Sequence, residues 1–206
     1  MYRIRGIDTL FPRSLEFGMA DRTILLTYRD YCELPDDGRR YEIHDGELSM
    51  TPAPNPRHQR LVGAIYRILY AHVRSRGLGE VLLSPIDVIL SDIAIVQPDV
   101  VYLERSRAGA VSSRGIEGAP TLAVEILSAW TASIDRQRKR QLYARYGVPF
   151  YWIVDPDARA VEAHVLGPEG YAQVERVAGE GRAALPPLGD LVLDAGALWR
   201  EGAGEG

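Results

Sequence analysis

Glu125 stands inside the run Leu122-Ala123-Val124-Glu125-Ile126-Leu127, whose other members are all apolar. A carboxylate left ionised and unpaired in such a strand is costly, so it must meet a cation, a set of hydrogen bonds or a metal, or open onto a cleft. Asp99 follows Gln97-Pro98 and precedes the apolar stretch 100–103, which places it at a strand entrance. Alone it reads more readily as a turn former than as a ligand. On neighbouring strands the two carboxylates make a hard, anionic oxygen site that suits Mg²⁺ or Mn²⁺ and disfavours a zinc cage. A metal held there can bind a phosphate, lower the pKa of bound water and shield the charge that develops in in-line attack on phosphorus, so phosphodiester hydrolysis is the natural reaction.

Lys139 is the one lysine among 24 basic side chains. Its neighbours Arg136, Arg138 and Arg140 show that arginine is accepted in the same segment. A compact ammonium orients water, or stabilises charge at a phosphate, differently from a planar guanidinium. With Asp135 one helical turn before it and Tyr143 one turn after, all three share a face. The bland reading is a surface Asp/Lys pair contributing a few tenths of a kcal/mol; it predicts that arginine would serve at 139 as well. Glu42 and His44 on a hairpin, and His58 at a helix start, are weaker candidates. A polar hairpin face normally meets solvent, and a lone histidine is usually a satisfied side chain.

The elements that must position these groups follow from turn and cap residues. A short helix over 27–34 has Thr27 as N-cap and Pro35 with Asp36-Asp37-Gly38 at its exit. Asp45-Gly46 lies between two alternating runs and predicts a type I′ hairpin over 41–50. Asn55-Pro56 opens a long amphipathic helix, with Leu61, Val62, Ile65, Ile68, Leu69 and His72 on its apolar face and Gly77 at its stop. Strands are expected over 80–83, 87–90, 99–103 and 121–127, with 105–119 as an exposed loop. A second helix over 133–146 closes at Gly147 and leads into strands over 150–154, 161–165 and 171–177. The order is that of an α/β fold with a mixed sheet.

The chain has 206 residues, 46% of them hydrophobic and 25% charged. That fits one core rather than two and argues against disorder. The expected division is an N-terminal arm over 1–26, a single domain over 27–199 and a loose tail over 200–206. A net charge of −4 supplies no global attraction to a polyanion, so any nucleic-acid role needs a local surface. With one cysteine, Cys32, no signal-peptide pattern and no apolar run near a membrane span, the expectation is a cytoplasmic protein with no membrane partner.

Taken together, residues 41–46 (YEIHDG), 51–59 (TPAPNPRHQ), 97–101 (QPDVV), 122–128 (LAVEILS) and 135–156 (DRQRKRQLYARYGVPFYWIVDP) make the chain resemble the PD-(D/E)XK superfamily of restriction-endonuclease-like proteins. Within it, the chain is similar to a widespread bacterial family of endonuclease-like proteins of unknown function. The likeness covers roughly residues 27 to 166. It implies an αβββαβ nuclease core, Asp99 and Glu125 as ligands of Mg²⁺ or Mn²⁺, and Glu42 as a further acidic residue near the metal. Asp135, Tyr143, His58 and Gln97 then stand as supporting residues. The chain departs from the superfamily at Leu127, where a lysine is expected; the similar bacterial family has the same gap and carries its lysine on the following helix, at the place of Lys139.

The leading expectation is therefore a metal-dependent endonuclease acting on nucleic acid, with DNA the expected partner and the apolar arm offering a homo-oligomer interface. Two rivals stay open. One is a nuclease fold without turnover that serves in nucleic-acid binding or assembly; the other is a hydrolase of small phosphoesters.

Overall fold

The computed structural model describes residues 24–128 and 130–203. Thr27 caps helix α1 (Tyr28–Cys32): its side chain accepts from the Asp30 N–H, and the Asp30 carboxylate accepts from the Thr27 N–H at 2.8 Å. Strands β1 (Arg40–His44) and β2 (Glu47–Thr51) are joined by Asp45 and Gly46, at φ 53° and 84°, the positive pair that a type I′ turn requires. Helix α2 (Pro56–Arg76) starts where the Asn55 side chain accepts from the His58 N–H at 2.9 Å and stops at Gly77, φ 62°. Its buried stripe carries Leu61, Val62, Ile65, Leu69 and His72, while Ile68 is only half-buried.

The chain continues through β3 (Gly79–Leu83), β4 (Val88–Ser91), β5 (Ala94–Val96) and β6 (Val100–Glu104). A 3₁₀ turn (Arg105–Ala110) leads to β7 (Val111–Ser112), β8 (Gly115–Glu117) and β9 (Leu122–Ile126). A π-helical turn (Ile134–Lys139) runs into α3 (Arg140–Arg145). Strands β10 (Phe150–Asp155), β11 (Ala160–Gly167), β12 (Gly170–Ala178), β13 (Arg182–Ala184) and β14 (Val192–Asp194) follow, and α4 (Ala195–Ala203) comes last.

The fold is α/β with mixed sheets flanked by helices, but the strands divide between two six-stranded sheets instead of forming the one expected. The first has the order β2-β1-β5-β4-β8-β7 and the second β12-β11-β10-β9-β6-β3; β13 and β14 pair separately. In the second sheet β9 and β10 are parallel, joined by the π turn and α3, and the other neighbours are antiparallel. Residues 105–119 are not simply a loop, because Ile116 is fully buried and draws β8 alongside β4. Arg200–Ala203 complete α4, where composition alone points to a loose tail. Most of the N-terminal arm lies outside the described residues; at its described end, the Leu26 N–H donates to the Gly46 carbonyl at 2.8 Å.

Both faces of the second sheet are covered, as strict alternation along its strands shows. Val100, Tyr102, Leu122, Val124, Trp152 and Val154 join the core beneath α2 and α4. Val101, Leu103, Ala123, Tyr151 and Ile153 join a second core with Val88, Ala94 and Val96 of the first sheet and Leu142 and Tyr143 of α3. Asp99 and Glu125 lie on this second face.

Candidate active site

Strand register brings the first two carboxylates together. Val100 pairs with Val124 and Val101 with Ala123, so one step beyond the paired residues Asp99 faces Glu125. Asp99 is 4% exposed and Glu125 3%, so both sit at the floor of a depression and not on a surface. Asp99 Oδ2 accepts from the Ile126 N–H at 2.8 Å and lies 3.2 Å from His58 Nε2, which places His58 directly against it. Asp99 Oδ1 lies 3.7 Å from the Arg40 guanidinium, which itself donates to the Gln97 carbonyl at 2.7 Å. Arg40 is a site residue that no feature of the sequence separates from the other arginines.

The parallel crossover from β9 to β10 lays the π turn and α3 over the same face. Lys139 Nζ consequently reaches Glu125 Oε1 at 3.0 Å, Glu42 Oε1 at 2.9 Å and Asp135 Oδ1 at 3.8 Å. Tyr143 also faces inward, but its hydroxyl donates to Glu125 Oε1 at 2.7 Å, so it holds the carboxylate and not the lysine. Leu127, two residues beyond Glu125 on the same face, packs into the apolar layer beside α3. The ammonium thus arrives from the helix at the side of a strand whose own next inward residue is aliphatic.

Glu42 and His44 are buried, contrary to the solvent-facing reading of an alternating hairpin, because the face of β1 that bears them is covered. Glu42 Oε1 accepts from the Gln97 N–H at 2.7 Å, and Oε2 lies 2.8 Å from His44 Nε2. The Gln97 side chain supports the site at one remove: its Oε1 accepts from Arg40 Nε at 3.2 Å, while its amide NH₂ donates to Asp87 at 2.8 Å and to Tyr31 at 3.1 Å.

One lysine among four acids leaves an excess of negative charge. Burial pushes the Glu125 carboxyl well above the usual carboxylate range; Lys139 opposes this, while Asp135, Asp99 and Glu42 add to it. Burial also works against a charge on Glu42, but Lys139, His44 and the Gln97 N–H overcome it and hold that carboxyl well below its ordinary value. Asp135 is pushed up to about 6, mainly by burial. Burial disfavours a charged Lys139, yet Glu125, Glu42 and Asp135 keep its ammonium protonated. The ammonium is shared between Glu42 and Glu125, and burial leaves the charged form of Glu125 the less favoured of the two.

Asp99, Glu125, Asp135 and Lys139 line a cleft of ≈ 180 Å³ whose walls are residues 51–55 on one side and Ser128, Trp130 and Thr131 on the other. Among the described residues no three of His, Cys, Asp and Glu are arranged as a ready cation cage. The donor set nevertheless fits Mg²⁺, which keeps several waters and takes one or two carboxylates. Both hydrogen bonds to Glu125 end on Oε1, so Oε2 has no partner among the described residues, and Asp99 Oδ1 has only the long contact with Arg40. Sequence reasoning reads 51–55 only as a shared stretch and a helix start and passes over Trp130, a large aromatic among Ser128, Thr131 and Ser133.

Residues 28–196 match the model of the Uma2 family, described as "putative restriction endonuclease". No curated protein matches the sequence. Among solved structures, the chain is similar to "a putative nuclease belonging to DUF820" from Anabaena variabilis. The TM-score is 0.72 at 18% identity, over 86% of this chain and 99% of that one. At that identity the likeness concerns the fold.

Proposed function

The chain belongs to the Uma2 family, and on that premise we propose that it is a metal-dependent endonuclease of the PD-(D/E)XK type, hydrolysing phosphodiester bonds in nucleic acid, with DNA the expected substrate. One observation carries the reading: Lys139, coming from the crossover helix, stands 3.0 Å from Glu125 on the floor of the cleft that Asp99 shares. The element order supports it too. Helix α2, strands β3, β6 and β9, the crossover helix and β10 follow one another as αβββαβ in the second sheet, with β4-β5 and β7-β8 as insertions that build the first.

In this reading Asp99 and Glu125 hold Mg²⁺ or Mn²⁺. When bound, the cation supplies a Lewis acid for the phosphate oxygen and a lowered pKa for water. Lys139 presents its ammonium to the attacking water or the scissile phosphate and offsets the charge that grows there. Glu42, which does not line the cleft, fixes the ammonium from behind together with the Gln97 N–H. Tyr143 and His58 orient Glu125 and Asp99 respectively. Asp135, on the cleft side of Lys139, restrains the same amine.

The test is cleavage of plasmid and single-stranded DNA with Mg²⁺ or Mn²⁺ by wild type, Glu125→Ala and Lys139→Met. Equal activity in all three overturns the assignment. A second reading, a nuclease fold without turnover, is favoured by the lack of a three-ligand cage among the described residues. Calorimetric titration with Mg²⁺ separates the two, since the nuclease reading requires a saturable heat and the other does not.

A further inference from the structure

One side chain of the cleft takes no part in the chemistry proposed above. Trp130 stands at its mouth, 79% exposed, whereas Trp152 and Trp199 are buried. The turn that presents the indole is held by its own hydrogen bonds. Thr131 N–H donates to Ser128 Oγ at 3.2 Å, Ser128 N–H donates to Thr131 Oγ1 at 3.3 Å, and the two hydroxyls lie 3.0 Å apart. The opposite wall, Thr51-Pro52-Ala53-Pro54-Asn55, carries no charge. The exposed indole face beside the carboxylates is available for a flat group in the cleft to stack on.

Charge decides what kind of partner this is. The basic side chains that line the cleft are Arg40, His58 and Lys139, and each is turned onto a carboxylate of the floor. Among the described residues, the walls offer no further cation. Duplex offers mainly its phosphates and so draws on several Lys or Arg, whereas a strand with free bases can add stacking worth roughly tenfold in affinity per base. Depth argues the same way, because Asp99 and Glu125 are nearly closed off from solvent. A paired duplex is stiff and does not bend one phosphate out of its helical path into a narrow, recessed floor. An unpaired strand bends into the cleft and has bases free to stack, the contact by which sequence-tolerant single-strand binders hold their ligand.

We propose that the cleft takes a single, unpaired strand of nucleic acid, with one base stacked on the indole of Trp130 and the adjoining phosphate lowered toward Asp99 and Glu125. The placement of the phosphate rests on the nuclease reading; the base contact does not.

Because Trp152 and Trp199 are buried, the indole emission that responds to a ligand is that of Trp130. The full chain, with Ca²⁺ in place of Mg²⁺, is titrated with a short oligothymidylate and with a hairpin duplex of equal length. Saturable quenching is expected with the oligonucleotide, and binding at least about tenfold weaker with the duplex. Trp130→Ala, followed by competition with a labelled oligonucleotide, should bind roughly tenfold more weakly or worse, while Trp130→Phe keeps most of the affinity. Equal response to duplex, or full affinity in Trp130→Ala, overturns the inference. So does an emission shift that follows protein concentration without nucleic acid, since a second copy of the chain would then cover the indole. The two levels fail separately. Oligonucleotide binding through Trp130 with neither cleavage nor Mg²⁺ binding removes the nuclease reading and leaves the docked base. Cleavage with an unchanged KM in Trp130→Ala removes the docked base alone.

Discussion

Lys139 Nζ stands 2.9 Å from Oε1 of Glu42, a contact that ties the crossover helix to a strand of the other sheet. The same ammonium touches Glu125 on β9, so carboxylates from two sheets share one cation in a buried space. Stability and chemistry are coupled at this point, and substitutions there should move both.

Lys139→Met leaves Glu42 and Glu125 facing each other unneutralised. The expected cost is about 3–5 kcal/mol of stability at neutral pH, read by urea denaturation, with roughly a hundredfold loss of cleavage. Adding Glu42→Gln to Lys139→Met should return part of the stability and none of the activity. Additive losses in the double variant would contradict the shared-cation account.

Mg²⁺ should stabilise the folded chain through Asp99 and Glu125. At about one hundred times its Kd, a ligand that binds only the folded state adds about 2.7 kcal/mol, visible as a rise in Tm that EDTA reverses. Glu125→Gln and Asp99→Asn should each abolish the rise. Its persistence in both would place the cation elsewhere.

His164 predicts how stability depends on pH. It is buried between Tyr151 and Tyr171, and among the described residues neither ring nitrogen has a hydrogen-bond partner. Burial lowers its pKa below that of an ordinary histidine; Arg140 and Arg136 add to this, against Glu162. The unfolded chain therefore takes up the proton first. The neutral ring's contribution is fully present above about pH 6.5 and declines as pH falls below it. Melting curves from acid to neutral pH should show this decline in wild type and a flatter profile in His164→Leu. Parallel profiles would remove His164 as the cause.

Asn55 closes the first turn of α2 and also lines the cleft wall. Asn55→Ala should lower stability by about 1 kcal/mol, and Asn55→Ser should restore most of it. Thermal denaturation of the three proteins checks this; an unchanged Tm in Asn55→Ala would mean that the wall segment holds the helix start without the cap.

Much of the frame is legible from local chemistry. Asp45-Gly46, Asn55-Pro56 and Gly77 act through their own backbone angles, and each appears where its residue type places it. Glu125 is legible because a carboxylate in an apolar strand demands a partner, and Lys139 because it is the one lysine. Other features depend on distant contacts. Ala94-Ile95-Val96 is too short to show a period, yet all three residues are buried at the centre of the first sheet. The burial of Glu42 and His44 depends on what packs over β1, which alternation cannot reveal. Helix α4 carries Gly196 and Gly202, so propensity hides it; the Asp194 carboxylate, which accepts from the Ala197 N–H at 2.9 Å, holds its start.

The π-helical turn Ile134–Lys139 has a consequence for how the chain can vary in length. A wider turn holds about one residue more than an α-helix spanning the same distance. Deleting one residue within it would let the segment tighten into ordinary helix with its flanks still in register, whereas a deletion in α3 between Lys139 and Tyr143 would rotate one relative to the other by roughly 100° about the axis. Lys139 and Tyr143 could then no longer both reach Glu125. Relatives that share this site should vary in length within the π turn, yet keep the four-residue interval between Lys139 and Tyr143. For this fold, the count of residues in that interval is as much a signature of the site as the residues themselves.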